Sequence, residues 1–130
     1  MAAKVEDGPC VAYIGPGGSG HFVKTVHNGI EYGLEQILAE AYDLMKRVKG
    51  MNGEQMSEVF GIWNNTDELA SYLVEITEIC LDTKDEITGD DVVEKILDKA
   101  GQKGTGLWTV VSALEPVSYT HLTLPTIAGG

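Results

Sequence analysis

From Ser19 to about Lys49 the apolar residues recur at spacings of three and four, and this one long helical period constrains the chain most. Val23, Val26, Ile30, Leu34 and Ile37 share a face of that helix, which predicts a stripe needing a partner. Ser19 is placed to cap its start and Gly50 to stop it. Gly29 and Gly33, four apart, lower helix propensity, a cost usually accepted where something packs closely.

Further helical patterns follow at short intervals. Gly53–Trp63 carries Met56, Val59, Phe60 and Trp63 on one side, with Asn52 as the cap. A third helix is expected after Asn65-Thr66, where Thr66-Asp67-Glu68 supplies a capped acidic first turn. Its stripe reads Leu69, Leu73, Ile76 and Cys80, with Tyr72 and Ile79 beside it. Val92, Val93, Ile96 and Leu97 predict a fourth helix ending at Gly101, and Trp108–Leu114 a fifth after the polar loop Gln102–Gly106. Ahead of them all, Cys10–Ile14 reads as one brief strand closed by Gly15-Pro16-Gly17-Gly18. The fold class is therefore mainly α: a helical array preceded by one short strand, with short connections that favour packed neighbours.

Composition narrows the partners. The net charge of −11 argues against nucleic acid, whose phosphates are bound by basic patches, and leaves an anionic ligand to be held by a few local cations. Cys10 and Cys80 stand alone, without the spacing of a zinc site or a disulfide framework. No apolar run approaches the ~20 residues of a membrane helix. A soluble, cytoplasmic protein is expected.

On a helical wheel Lys24, His27, Asn28, Glu31 and Tyr32 gather on one face, roughly opposite the apolar stripe. Two readings fit that face. It is a solvated surface with Lys24 and Glu31 as exposed charges, or it is a set of donors and acceptors suited to a polyhydroxy ligand, with Lys24 and Glu31 as an acid–base pair. The preceding GPGGSG matches the dinucleotide fingerprint poorly and lacks the lysine of a phosphate loop.

The string GPGGSGHFVKTVHNGIEYG, residues 15–33, closely resembles the substrate segment of the decarboxylating 6-phosphogluconate dehydrogenase family, and GQKGTG at 101–106 follows in that family's order and approximate spacing. Similarity extends over roughly residues 2–115, through AAKVEDGPC, EAYDLMK, YLVEIT and GTGLWT. The resemblance implies a metal-free oxidative decarboxylation of 6-phosphogluconate to ribulose 5-phosphate, a step of the pentose phosphate pathway, with NADP as hydride acceptor in a homodimeric enzyme. It gives Lys24 the part of general base toward the C3 hydroxyl, which requires the amine to be neutral for part of the cycle, and Glu31 that of the acid protonating C1. It gives His27 and Asn28 the hydroxyl and carboxylate end of the substrate, and Tyr32 and Lys103 its phosphate. Leu107 departs from the family, in which many members carry lysine after GTG.

On this reading residues 1–18 are the end of a dinucleotide-binding domain and its linker, and 19–115 are part of the helical substrate and dimerisation domain. Residues 116–130, with two of the four prolines and no acidic residue, are expected to be foreign to the family, from a frameshift or an appended tail. A piece of this extent, without the cofactor fingerprint, is expected to be inactive alone. The alternative is a helical binding or interaction module that does no chemistry.

Overall fold

The computed structural model describes residues 2–114. The chain divides into two compact units, Met1–Tyr32 with Gln102–Gly130 and Gly33–Gly101. One helix, α1 (Ser19–Arg47), supplies residues to both units. Helices dominate, as expected, with a single small sheet among the described residues.

In the first unit, β1 (Lys4–Val5) and β2 (Gly8–Pro9) form an antiparallel hairpin, with Lys4 opposite Pro9 and Val5 opposite Gly8. The expected strand at Cys10–Ile14 does not form. Cys10 N–H donates to Ala3 O at 2.7 Å, and Val11 N–H then turns back onto Pro9 O at 2.8 Å, a three-residue turn that ends the ladder. Without a partner, Val11 and Tyr13 are exposed. Ser19 is the first residue of α1 rather than its cap: its hydroxyl donates to Pro16 O at 2.6 Å, while Gly18 O accepts the Phe22 N–H at 3.0 Å. The fifth expected helix, α4 (Thr105–Leu114), starts a turn earlier than its apolar run, where Trp108 N–H reaches Gly104 O at 3.0 Å.

In the second unit, α1 ends as anticipated, with Gly50 at φ +67° and Met51 N–H bonded to Met45 O at 3.2 Å. The helix α2 (Gly53–Asn64) opens on a capping box: Asn52 accepts from Gln55 N at 2.9 Å and the Gln55 side chain accepts from Asn52 N at 3.1 Å. Thr66 begins only one turn, accepting the Leu69 N–H at 3.2 Å, before the chain breaks. The helix α3 (Tyr72–Asp82) starts afresh at Ser71, whose N–H is held by Asn64 Oδ1 at 3.3 Å and whose hydroxyl caps Val74 N at 3.3 Å.

The core lies between α2 and α3. Phe60 is wholly buried with Met56, Val74 and Leu81, and Leu38, Tyr42, Met45, Met51, Trp63 and Val93 pack around them. Met56 and Phe60 come from the stripe expected of α2. In α3 the buried face is rotated from the expected one: Val74 and Leu81 enter the core, whereas Leu69 and Cys80 are exposed. Ser57 fixes that rotation by donating to Glu78 O at 3.0 Å, which presses the Val74–Glu78–Leu81 side of α3 onto α2. The displaced stripe, Leu73, Ile76 and Cys80, instead lines an open groove of about 390 Å³ with Leu38, Ala39 and Tyr42 of α1.

The fourth helix is reduced to one 3-10 turn, Val92–Glu94. Asp91, which would cap a longer helix, is committed elsewhere: its carboxylate accepts the Gly53 N–H at 3.1 Å and pairs with Lys84. Val92 N–H meanwhile bonds to Thr83 O at 2.9 Å, closing a loop from Thr83 to Val92 instead of starting a helix. The long stripe of α1 also differs from expectation. Val23, Ile30, Leu34 and Ile37 are about half exposed or more, and no residue of α1 is fully buried. Periodicity locates an apolar face; it does not supply what covers it.

Gly53 is where backbone and side chain meet most tightly in this unit. A Cβ there would lie 2.6 Å from Leu81 O and 2.7 Å from Asp91 Oδ2. Gly53→Ala should therefore destabilise the chain in urea unfolding, although helix propensity alone would favour alanine by about 1 kcal/mol; a raised midpoint would contradict this packing. The Lys84 ammonium and the Gly53 N–H hold the Asp91 carboxyl below the ordinary carboxylate range, and Lys46 and Tyr42 do the same for Glu94. A carboxyl depressed on folding contributes stability that is complete above its unfolded pKa and is lost as pH falls through the folded value. The urea midpoint should accordingly fall on acidification below about pH 4, and Asp91→Asn should flatten that dependence in the same measurement.

Candidate active site

All six expected site residues lie in the first compact unit. The helix α1 brings five of them onto one side, as 3.6-residue periodicity requires. Lys24 Nζ lies 3.3 Å from His27 Nδ1, and the same nitrogen is 3.1 Å from Asn28 Oδ1 and 3.9 Å from Glu31 Oε2. His27 thus stands at the centre of a continuous polar run, with Lys24 on one side and the carboxylate a helical turn away on the other. The Lys24 and His27 side chains are exposed and that of Glu31 is about a third exposed, so the run is open to a ligand. Along the axis Lys24 and Glu31 are separated by about 10 Å, enough to address different carbons of an extended substrate.

Tyr32 meets the first turn of α4, the helix that follows Lys103 in sequence. A Cβ on Gly106 would lie 2.7 Å from Tyr32 Cε2, so the phenol ring lies across the first turn of α4, three residues along the chain from Lys103. Lys103 immediately precedes Gly104, whose φ of +101° turns the chain into the helix. The Trp108 ring closes over that turn: a Cβ on Gly104 would lie 3.2 Å from it. Leu107, in the place where many family members carry lysine, is exposed.

The two glycines of α1 that lie four apart, Gly29 and Gly33, have different fates. A Cβ at Gly29 would fall 2.5 Å from Thr109 Cβ, whereas one at Gly33 would meet nothing within 4 Å. Close packing therefore accounts for Gly29 alone. Thr109 Oγ1 sits 2.9 Å from both Thr25 O on α1 and Thr105 O on α4. Neither Gly106 nor Thr109 stands out in the sequence pattern; the pair Gly29 and Gly106, each a helical position without a Cβ, is the signal that a tight crossing leaves.

The glycines just before α1 and in its first turn meet little of the described chain. Added Cβ atoms at Gly17, Gly18 and Gly20 would meet nothing within 4 Å, and one at Gly15 would collide with Ser19.

The family model described as "6-phosphogluconate dehydrogenase, C-terminal domain" matches residues 20–128. That match enters the run from 116 onward, which lies outside the described residues together with the expectation that it is foreign to the family. The 6-phosphogluconate dehydrogenase, decarboxylating, of Synechococcus elongatus is 58% identical over 128 residues, covering 98% of this chain and 26% of its own length. The NADP(+)-dependent, decarboxylating enzyme of Bacillus subtilis is 55% identical over 115 residues, covering 88% of this chain and 24% of its own. Among solved structures, Plasmodium falciparum 6-phosphogluconate dehydrogenase, studied in its apo form and in complexes with NADP+ and with 6-phosphogluconate, superposes with a TM-score of 0.81 at 50% identity, over 88% of this chain and 24% of that one. The chain thus spans about a quarter of the length of these relatives. By sequence match and by fold, it belongs to the 6-phosphogluconate dehydrogenase family, in the region of the helical C-terminal domain.

Proposed function

We propose that this chain carries the substrate helix of an NADP-dependent enzyme that oxidatively decarboxylates 6-phosphogluconate to ribulose 5-phosphate. The observation that carries the proposal is the contiguous run Lys24–His27–Asn28–Glu31 on one open face of α1. Lys24 takes the proton of the substrate C3 hydroxyl as that carbon is oxidised. Once protonated, it donates to the C3 carbonyl oxygen, which stabilises the electron pair left behind as carbon dioxide departs. Glu31 then delivers a proton to C1 of the enediol. His27 and Asn28 orient the hydroxyl and carboxylate end, and the Tyr32 hydroxyl with the Lys103 ammonium receives the phosphate. Two local cations, Lys24 and Lys103, make an anionic ligand compatible with a net charge of −11. NADP, the hydride acceptor, is held mainly by the dinucleotide-binding domain of the parent enzyme.

The wider organisation follows the same reading. Residues 1–18 end a dinucleotide-binding domain, 19–115 belong to the helical domain, and 116–130 are a tail foreign to the family by composition. The family match that reaches residue 128 bears the other way, and the encoding nucleotide sequence decides it. The parent enzyme works as a homodimer. A cytoplasmic location suits two free, exposed cysteines and the finding that no helix among the described residues is long and apolar enough to cross a membrane.

The test is a full-length Synechococcus elongatus relative in which residues 2–114 of this chain replace the matching stretch. Lys24→Ala and Glu31→Ala should each lower kcat at least about 100-fold; turnover unchanged in both would leave a helical interaction module as the better description. The isolated 130-residue chain should give no NADP reduction with 6-phosphogluconate, read from the absorbance of the reduced nicotinamide. Sustained reduction would show that a cofactor site exists here after all.

A further inference from the structure

We infer that Thr109 is a positioning residue: by tying α4 to α1 it sets where Lys103 stands relative to the polar face that carries Lys24, His27 and Glu31. The inference rests on the functional reading above. Thr109 is on α4, away from the polar run, and its hydroxyl lies 2.9 Å from Thr25 O, one residue beyond Lys24, and 2.9 Å from Thr105 O, two residues beyond Lys103. One hydroxyl proton is therefore shared between a carbonyl on each helix, each next to a site lysine. The approach is possible because Gly29 presents no side chain; any Cβ there would occupy the space of Thr109.

The second contact of the same crossing works in the opposite sense. Here α1 provides the side chain, Tyr32, and α4 the glycine, Gly106. With a side chain seated on a glycine in each direction, sliding of α4 along α1 is blocked at two points, one turn apart on each helix. The only connection between Lys103 and this anchored helix is Gly104, at φ +101° under the Trp108 ring. A shift of α4 is therefore passed along the backbone toward Lys103. A cation that must meet a phosphate gains from being fixed in advance, since the ordering is then completed before the substrate binds.

The consequence is specific. Loss of the shared hydroxyl should weaken the hold on the phosphorylated substrate, while the proton transfers by Lys24 and Glu31, which are fixed by α1 alone, proceed as before. In the full-length chimera described above, Thr109→Val keeps the shape of the side chain and removes the hydrogen bond, and should raise KM for 6-phosphogluconate about three- to tenfold, with kcat within about twofold. Thr109→Ser, which restores the hydroxyl, should return KM to within about twofold of the parent. In a Lys103→Ala background Thr109→Val should add little further to KM, because the effect is exerted through Lys103. Lys24→Ala, measured alongside, separates the two claims. If it abolishes turnover while Thr109→Val leaves KM unchanged, or if Thr109→Val and Lys103→Ala are additive, the positioning role is wrong and the functional reading stands. If Lys24→Ala turns over normally, the functional reading and the inference resting on it both fall. A Thr109→Val loss of kcat that Thr109→Ser fails to rescue would likewise overturn the positioning role in favour of general destabilisation.

Discussion

The site depends on a side chain that is missing. At Gly29 the surface of α1 is bare backbone, and Thr109 of α4 occupies the volume that any other residue would fill. Gly106 does the same for Tyr32 in the reverse direction. Glycine costs helix stability, so two of them at a helix crossing record a steric demand that outweighs propensity. What the crossing gives in return is close approach of two backbones, with a threonine hydroxyl shared between a carbonyl of each. Residues from opposite ends of the described chain are thereby held in one small unit.

The second unit is held by a different balance. Its centre is apolar, Phe60 with Met56, Val74 and Leu81, but the placement of its helices is set by polar groups with several partners each. Asp91 serves the first turn of α2 and the Lys84 ammonium together. On the side facing α1, Glu94 accepts from the Tyr42 hydroxyl at 2.6 Å and pairs with Lys46, which tethers the 3-10 turn to the helix. Burial and the neighbouring Glu94 carboxylate raise the Tyr42 hydroxyl pKa, so that group remains a donor across the neutral range. These interactions are charge-assisted, which is why acid should loosen them before it alters the apolar centre.

The chemistry assigned to the polar face asks more of the surroundings than a wheel can show. General acid–base work on a polyhydroxy substrate gains from excluded water and from fixed neighbours. Of the groups concerned, Glu31 and Asn28 are partly covered, while Lys24 and His27 face outward. The arrangement presents these groups in sequence along one helix, on a face that the described residues leave partly open.

Much of this was legible in the amino-acid sequence, because helices are written in local periodicity. The extents of α1 and α2, the Asn52 cap, the Gly50 stop and the gathering of Lys24, His27, Asn28, Glu31 and Tyr32 on one side all follow from residues within a few positions of one another. Where the reading failed, a distant residue had intervened. The helix expected after Asp91 gave way because that carboxylate is bound to Gly53, 38 positions away. The buried side of α3 was turned by Ser57 reaching Glu78, 21 positions away, and the strand at Cys10–Ile14 found no ladder to join. The tie between Thr109 and Thr25 spans 84 positions and leaves no periodic trace. The sequence by itself determined the extents of α1 and α2 and which groups share a face of α1, since backbone hydrogen bonds and side-chain direction repeat locally. Only the tertiary structure decided which faces are buried, where helices yield and how α4 is joined to α1, because those outcomes depend on which distant atom takes each hydrogen bond and fills each space.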